Sequence, residues 1–126
     1  MKIKKWSKKF LIGNSEIDKQ HKRMFDLYSE LFIKEDATTS DLSIIFNSML
    51  IWAFHHLAEE EKIIASLGYK DIEEHKHSHK VLIKMLDSIF LDQQTVETIK
   101  QSSLKIIELW STHILDVDMK YSYLFL

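Results

Sequence analysis

The chain contains no proline and only two glycines, Gly13 and Gly68, among its 126 residues. Proline and glycine mark most tight turns, so a sheet of many short strands would lack the turn residues that it needs. Long helices need few turns and tolerate the scarcity of both residues. A chain of this length has room for one domain with its own apolar core. We therefore expect a single all-α domain.

Cysteine content and charge exclude several classes of protein. There is no cysteine, which excludes disulfides, thiolate metal sites and a cysteine nucleophile. The formal net charge is −2 with acidic and basic residues mixed, so no basic face for nucleic acid is predicted. The apolar run after the N-terminal lysines is too short for a signal peptide, and no run approaches a membrane span. We expect a soluble, cytoplasmic protein with no nucleic-acid or membrane partner.

Apolar residues recur at steps of three and four along four stretches, 17–32, 45–67, 72–89 and 99–117. Each stretch predicts one amphipathic helix, and the links between them are short. Such a pattern is typical of an antiparallel up-down four-helix bundle. The predicted parts of the domain are an N-terminal extended arm, the bundle and a C-terminal tail, at residues 1–15, 16–121 and 122–126.

Local signals mark where these helices begin and end. Ser40 precedes the second stretch and is a favourable N-cap. Gly68 follows the same stretch, where a helix C-terminus often needs a residue with positive φ. Asp71 can cap the third helix. The sequence "LDQQT", residues 91–95, separates the third helix from the fourth.

Every apolar stretch carries at least one histidine. In the octet "EEHKHSHK", residues 73–80, a helical period places His75 and His79 on the inward face and His77 on the outward face. Glu60 also lies on an apolar stripe. The periodicity selects the following inward-facing polar residues: His21, His56, Glu60, His75, His79 and His113.

A cluster of this kind is difficult to bury without a metal. A buried charged group is costly unless it is paired or bound to a cation. Neutral imidazoles offer lone pairs, and a carboxylate offsets positive charge. Five imidazoles with one or two carboxylates exceed the four ligands of a tetrahedral zinc, so two six-coordinate ions with bridging carboxylates fit the count better. Iron, copper and zinc are all compatible with these ligand types.

Four segments together resemble the hemerythrins, specifically the single-domain bacterial ones. They are "IGNSEIDKQH", "HLAEEEKII", "GYKDIEEHKHSH" and "HILDVD", which span most of the chain in the expected order. The resemblance implies a diiron centre that binds O2 reversibly, with an oxo or hydroxo bridge and no enzymatic activity. It implies that one iron is held by His75, His79 and His113. The other iron, which keeps an open position, is then held by His21 and His56, with Glu60 and Asp118 bridging the two.

Two of these assignments have close competitors. His55 adjoins His56, but His56 shares the apolar stripe of the second helix and is therefore preferred. Asp116 lies only about 60° from His113 around an ideal helix, whereas Asp118 lies about 140° away. Helical geometry alone therefore favours Asp116, and the family resemblance favours Asp118. A wide turn near the helix end would bring Asp118 inward.

The walls of an oxygen pocket are predicted from residues one turn from the proposed ligands. A dry pocket would protect bound oxygen from water. Ordinary core packing is the alternative interpretation for each of these residues. The candidates are Ile17, Phe25, Trp52 and Trp110.

Three other functions compete with oxygen binding. A diiron enzyme of the ferritin-like class, a ferroxidase or oxygenase, uses a carboxylate-rich site with two Glu-x-x-His motifs. The sequence contains one such motif, from Glu74 to His77, and its histidine faces outward. A sensor would act through a separate partner, since the chain leaves no room for an output domain. A zinc or purely structural bundle is the remaining alternative.

Overall fold

The computed structural model describes residues 4–90 and 95–126 and confirms the all-α four-helix bundle. A short 3-10 helix at Lys8–Phe10 precedes the bundle, and a second one at Asp118–Phe125 follows it. Among the described helices, none is both long enough and apolar enough to cross a membrane. The bundle helices α1 to α4 span Ser15–Ile33, Thr39–Ser66, Ile72–Phe90 and Val96–Asp116.

Side chains that accept backbone N–H groups determine where the bundle helices begin. The Asn14 side chain accepts from the N–H of Ile17 at 3.0 Å and starts α1. At α2 the prediction of Ser40 as N-cap is wrong, because Thr38 and Asp41 form a capping box with two 3.1 Å bonds. This reciprocal arrangement satisfies two backbone donors, and Ser40 lies inside the first turn.

The end of α2 confirms the role predicted for Gly68. Its φ of 74° lies in the left-handed region, which glycine adopts without strain. The N–H of Gly68 donates to the carbonyl of Ala65, and the N–H of Tyr69 donates to that of Ile64, both at 3.0 Å. This is a Schellman motif. It turns Tyr69 into the core, where only 4 % of its surface is exposed.

Asp71 immediately precedes α3, and its carbonyl accepts the N–H of His75 at 3.0 Å. The predicted break between α3 and α4 falls mainly on residues 91–94, which lie outside the described residues. Thr95 caps α4 through a bond from the N–H of Thr98 at 3.1 Å.

The helices pack so that α1 and α3 each contact both α2 and α4. One apolar core therefore runs along the bundle, and inward side chains from all four helices meet in it. The N-terminal arm is folded onto this core through Phe10, which packs against Trp6 and Phe25. The C-terminal 3-10 helix packs against α4 and buries Tyr121 completely. The described part of the arm and the C-terminal 3-10 helix thus help to close the bundle.

Candidate metal centre

Seven polar side chains, contributed by all four helices and by the start of the C-terminal 3-10 helix, converge in the bundle core. Each is more than nine-tenths buried. They form two overlapping groups, within each of which the potential ligand atoms lie within 4.8 Å of one another. Glu60 and Asp118 belong to both groups. We refer to His21 and His56 as the pair. We refer to the histidines of the other group as the triad, which consists of His75, His79 and His113.

Glu60 stands between the pair and the triad and divides its two oxygens between them. Its Oε2 lies 2.9 Å from Nε2 of His56 and 3.2 Å from Nε2 of His21. Its Oε1 lies 2.6 Å from Nε2 of His75 and 3.0 Å from Nε2 of His79. One oxygen therefore faces each half of the centre, which is the arrangement that a bridging carboxylate requires.

Asp118 repeats this division from the other side of the cluster. Its Oδ2 lies 3.0 Å from Nε2 of His21, which belongs to the pair. Its Oδ1 lies 3.1 Å from Nε2 of His113 and 3.4 Å from Nε2 of His75, which belong to the triad. Two carboxylates thus connect the same two sets of imidazoles.

The end of α4 explains why Asp118, rather than Asp116, reaches the centre. Asp116 is exposed and is the last residue of α4. The predicted wide turn is wrong, because the N–H of Val117 donates to the carbonyl of His113 at 2.9 Å in an ordinary α-helical bond. The chain then tightens into the 3-10 helix that begins at Asp118. The chain departs from the path of α4 at Val117, and the Asp118 side chain that follows is completely buried.

The other competing histidines lie outside the cluster. His55 is exposed and stacks against Trp52, while its neighbour His56 is fully buried. His77 is exposed, whereas His75 and His79 are buried on the opposite face of α3. The helical interpretation of the octet is therefore confirmed.

Hydrogen-bonding capacity inside the cluster is not used up by the protein itself. Nε2 of His113 and both oxygens of Asp118 are buried without a well-aligned hydrogen bond, although they lie 3.0 to 3.4 Å from oppositely charged or polar partners. Buried polar atoms are nearly always satisfied, so such exceptions point to a group that the protein is built to receive. Imidazole nitrogens and carboxylate oxygens are ligands of divalent transition metals. The donor set and these unsatisfied atoms fit a cation.

The charges of the cluster agree with this fit. Burial would raise the pKa of Glu60, but hydrogen bonds from four histidines hold it well below its usual value. Burial and the charge of Glu60 would also raise the pKa of Asp118, yet His113 and His21 hold it below its usual value. Burial would lower the pKa of His21, and the two carboxylates raise it to about 9. Both carboxylates are therefore ionised at neutral pH, as metal ligands must be.

Three polar contacts around the cluster were missed by the sequence reasoning. Nδ1 of His56 lies 2.7 Å from Oε1 of Gln20, and Nδ1 of His79 lies 2.7 Å from Oε2 of Glu61. The hydroxyl of Tyr121 donates to Oε2 of Glu60 at 3.1 Å. Burial raises the pKa of Tyr121, so the phenol stays neutral and remains a donor.

Only one of these three contacts had a usable signal in the sequence. Gln20 follows Ile17 by three residues and precedes Met24 by four, which places it on the buried stripe of α1. Glu61 and Tyr121 reach the cluster through the approach of separate elements, which no local spacing encodes.

Among the predicted pocket residues, Trp110 contacts the pair directly. Its ring centroid lies 5.1 Å from that of His56 and 6.1 Å from that of His21. Its indole N–H donates to the carbonyl of His21 at 3.2 Å. The buried indole therefore covers the pair and is tied to the helix that carries His21.

The remaining pocket candidates have other neighbours. Ile17 is fully buried one turn before His21. Phe25 packs against Trp6 and Phe10 of the arm, at centroid distances of 5.5 and 4.9 Å. Trp52 is only partly buried and donates its indole N–H to the carbonyl of Gln20 at 2.9 Å. A role of these three residues in an oxygen pocket stays a prediction.

Fold and site together define a helical bundle that gathers imidazoles and carboxylates for cation binding. The chain belongs to the hemerythrin family, since the family model "Hemerythrin HHE cation binding domain" matches residues 13–124. The family resemblance of the sequence is thus confirmed.

Individual relatives extend this match over most of the chain. A hemerythrin-like protein of Naegleria gruberi is 30% identical over 117 residues, which cover 92% of this chain and 88% of that protein. A bacteriohemerythrin of Clostridium acetobutylicum is 28% identical, with 92% of this chain and 96% of that protein covered. A myohemerythrin of Theromyzon tessulatum is 22% identical, with 92% and 88% covered.

Proposed function

We propose that this protein binds dioxygen reversibly at a centre of two iron ions. The triad would hold one iron and the pair the other, with Glu60 and Asp118 bridging them. The observation that carries this proposal is the division of both carboxylates, each of which turns one oxygen to the pair and one to the triad. A single cation would leave one half of this symmetrical arrangement without a partner.

The two halves of the centre contain different numbers of imidazoles, and this difference explains why dioxygen would bind at the pair. Two irons that shared both carboxylates would receive three nitrogen ligands at the triad and only two at the pair. The pair would therefore leave more room for an external ligand. When bound, the iron pair would supply an open position and the electrons that dioxygen accepts.

The surroundings of the pair favour binding of dioxygen without its conversion to another product. His21 and His56 have no exposed surface, and Trp110 covers them with an indole that is only 2 % exposed. Exclusion of water protects a reactive ligand from hydrolysis and loss. The buried Tyr121 hydroxyl holds Oε2 of Glu60, the oxygen that faces the pair. These side chains exclude water and hold the bridging carboxylate in one orientation.

The donor set also favours oxygen binding over a diiron enzyme. Ferritin-like diiron enzymes use Glu-x-x-His motifs whose side chains project into the core. Here the cluster contains five imidazoles and two carboxylates. Glu74 and His77, which form the one Glu-x-x-His motif of the sequence, are both exposed. We therefore propose that the protein is not an enzyme.

Metal analysis combined with an optical oxygen titration tests this function. The purified protein should contain two irons per chain. Its reduced form should gain a visible absorption band on addition of O2, lose it under vacuum and regain it on re-oxygenation. A content of one zinc per chain would contradict the diiron centre. Continuous O2 consumption with a band that never returns would indicate an enzyme instead.

A further inference from the structure

His56 in the pair and His79 in the triad each make the same two kinds of contact. Each ring directs Nε2 toward Glu60, at 2.9 Å for His56 and 3.0 Å for His79. Each ring directs Nδ1 away from the centre to a second side chain at 2.7 Å. The two rings therefore differ chiefly in the side chain that Nδ1 contacts.

That second side chain is neutral in one half and anionic in the other. His56 contacts the amide oxygen of Gln20, and the amide nitrogen of Gln20 donates in turn to Oε1 of Glu16 at 3.0 Å. His79 contacts a carboxylate oxygen of Glu61. Both partner oxygens only accept, so in a metal-bound state Nδ1 would carry the proton in both rings. The metal would replace the hydrogen bond between each Nε2 and Glu60 and take the Nε2 lone pair.

A carboxylate partner changes the donor strength of a metal-bound imidazole more than an amide does. It accepts a stronger, charge-assisted hydrogen bond and raises the basicity of the ring. Side chains in this position also fix the orientation of the ring. Loss of such a partner commonly weakens metal binding by about 10- to 100-fold.

We infer that Glu61 is a positioning residue that makes the triad the tighter-binding half of the centre. The Glu61 carboxylate fixes the tautomer of His79 and makes Nε2 of His79 a stronger metal ligand. The neutral Gln20 has the same effect on His56, but more weakly. The metal at the triad is therefore retained longer than the metal at the pair. This inference rests on the proposed two-metal centre.

Glu59 provides a matched control on the same turn of α2. Its side chain is partly exposed and lies 3.6 Å from Nζ of Lys62 at the surface. Glu59→Gln and Glu61→Gln each remove one negative charge and keep the shape of the side chain. An effect of net charge alone would therefore appear equally in both variants.

The test is iron release from the loaded protein to a ferrous chelator, followed as two phases. The slow phase represents release from the triad. Glu61→Gln should speed this phase about 10-fold, the lower end of the 10- to 100-fold range, because the amide still accepts a hydrogen bond. The fast phase should stay unchanged, and Glu59→Gln should match the parent protein. Equal rates in Glu61→Gln and Glu59→Gln would overturn the inference, as would acceleration of both phases together.

A second measurement uses zinc, which is diamagnetic, and needs no oxygen binding. In the zinc-loaded parent protein, the 15N NMR signal of His79 Nδ1 should show a protonated nitrogen in a strong hydrogen bond. In Glu61→Gln this signal should shift toward that of a weaker hydrogen bond. An unchanged signal would refute the role of Glu61 whatever the release rates are. A parent protein that binds neither iron nor zinc would instead refute the proposed function.

Discussion

The pair and the triad use the same imidazole chemistry but differ in their access to solvent. His21 and His56 of the pair are fully enclosed beneath Trp110. In the triad, His113 is 8 % exposed and borders an open groove of about 850 Å³ between α3 and α4. Apolar side chains, including Val81, Met85 and Leu109, line part of that groove. Burial is thus unequal within a single cluster of ligands.

Under the proposed function, this difference would give the two halves of the centre separate roles. The enclosed half suits a small ligand that must be protected from water. The half that borders the groove has a third histidine and a carboxylate, Glu61, behind one of its rings. We interpret the triad as the half that retains metal and the pair as the half that binds the external ligand.

The largest expected effect comes from the residue that both halves share. Glu60→Gln removes the charge that faces four histidines, so neither half should hold metal. Removal of one partner from a buried charged cluster costs roughly 3 to 5 kcal/mol, and the free energy of unfolding of the metal-free protein should fall by that amount. Metal analysis and urea denaturation measure the two effects. Retention of both metals would show that Glu60 does not bridge the halves.

A smaller effect, confined to one half, is expected from the octet on α3. His75→Ala should lose the metal of the triad, because it removes an imidazole whose Nε2 lies 2.6 Å from Glu60. His77→Ala is the matched control, since His77 is exposed on the same helix, and its metal content and colour should equal those of the parent. Equal losses in the two variants would contradict the separation of the helix faces.

The pH dependence of stability should have opposite signs with and without metal. In the metal-free protein the pKa of His21 is raised from 6.5 to about 9. A raised pKa stabilises the fold fully below the unfolded value, and this stabilisation is lost as the pH rises. The contribution of His21 to the free energy of unfolding should therefore fall by up to about 3 kcal/mol between these two pH values, and His79, whose pKa is also raised, adds a loss of the same sign.

The metal-loaded protein should not lose stability in the same window, because metal binding requires neutral imidazoles and rising pH favours it. Burial lowers the pKa of His56, so protonation of His56 affects stability only below this pH range. Urea denaturation across the pH range measures both slopes. The metal-free slope should shrink in His21→Gln, and identical slopes with and without metal would contradict the interpretation.

The smallest expected effect concerns the cover over the pair. Trp110→Leu should keep both irons yet release oxygen faster and autoxidise sooner in azide, because it opens the route to His21 and His56. Stopped-flow release and azide-driven autoxidation measure these rates. Trp52→Leu is a useful comparison, because the Trp52 ring packs against the exposed His55, and rates equal to those of the parent would remove Trp52 from the predicted pocket. If Trp110→Leu matches the parent, the indole is ordinary core packing.

Helical period was sufficient to predict the fold and most of the cluster. Apolar residues at steps of three and four indicated four helices, and the same spacing separated His56 from His55 and both inward octet histidines from His77. Such inferences succeed because an α-helix fixes which side chains share a face. They failed at Ser40, where the reciprocal bonds of Thr38 and Asp41 decided the helix start.

What the sequence by itself determined, then, is the set of inward faces and the polar residues that lie on them. Only the tertiary structure decided how those faces meet. Asp118 lies in the cluster although it follows the end of α4, in the 3-10 helix that begins after Val117. Glu61 and Tyr121 reach His79 and Glu60 across 18 and 61 positions of the chain. Local spacing fixes directions around one helix, whereas distances of about 3 Å between separate elements depend on how the whole core packs.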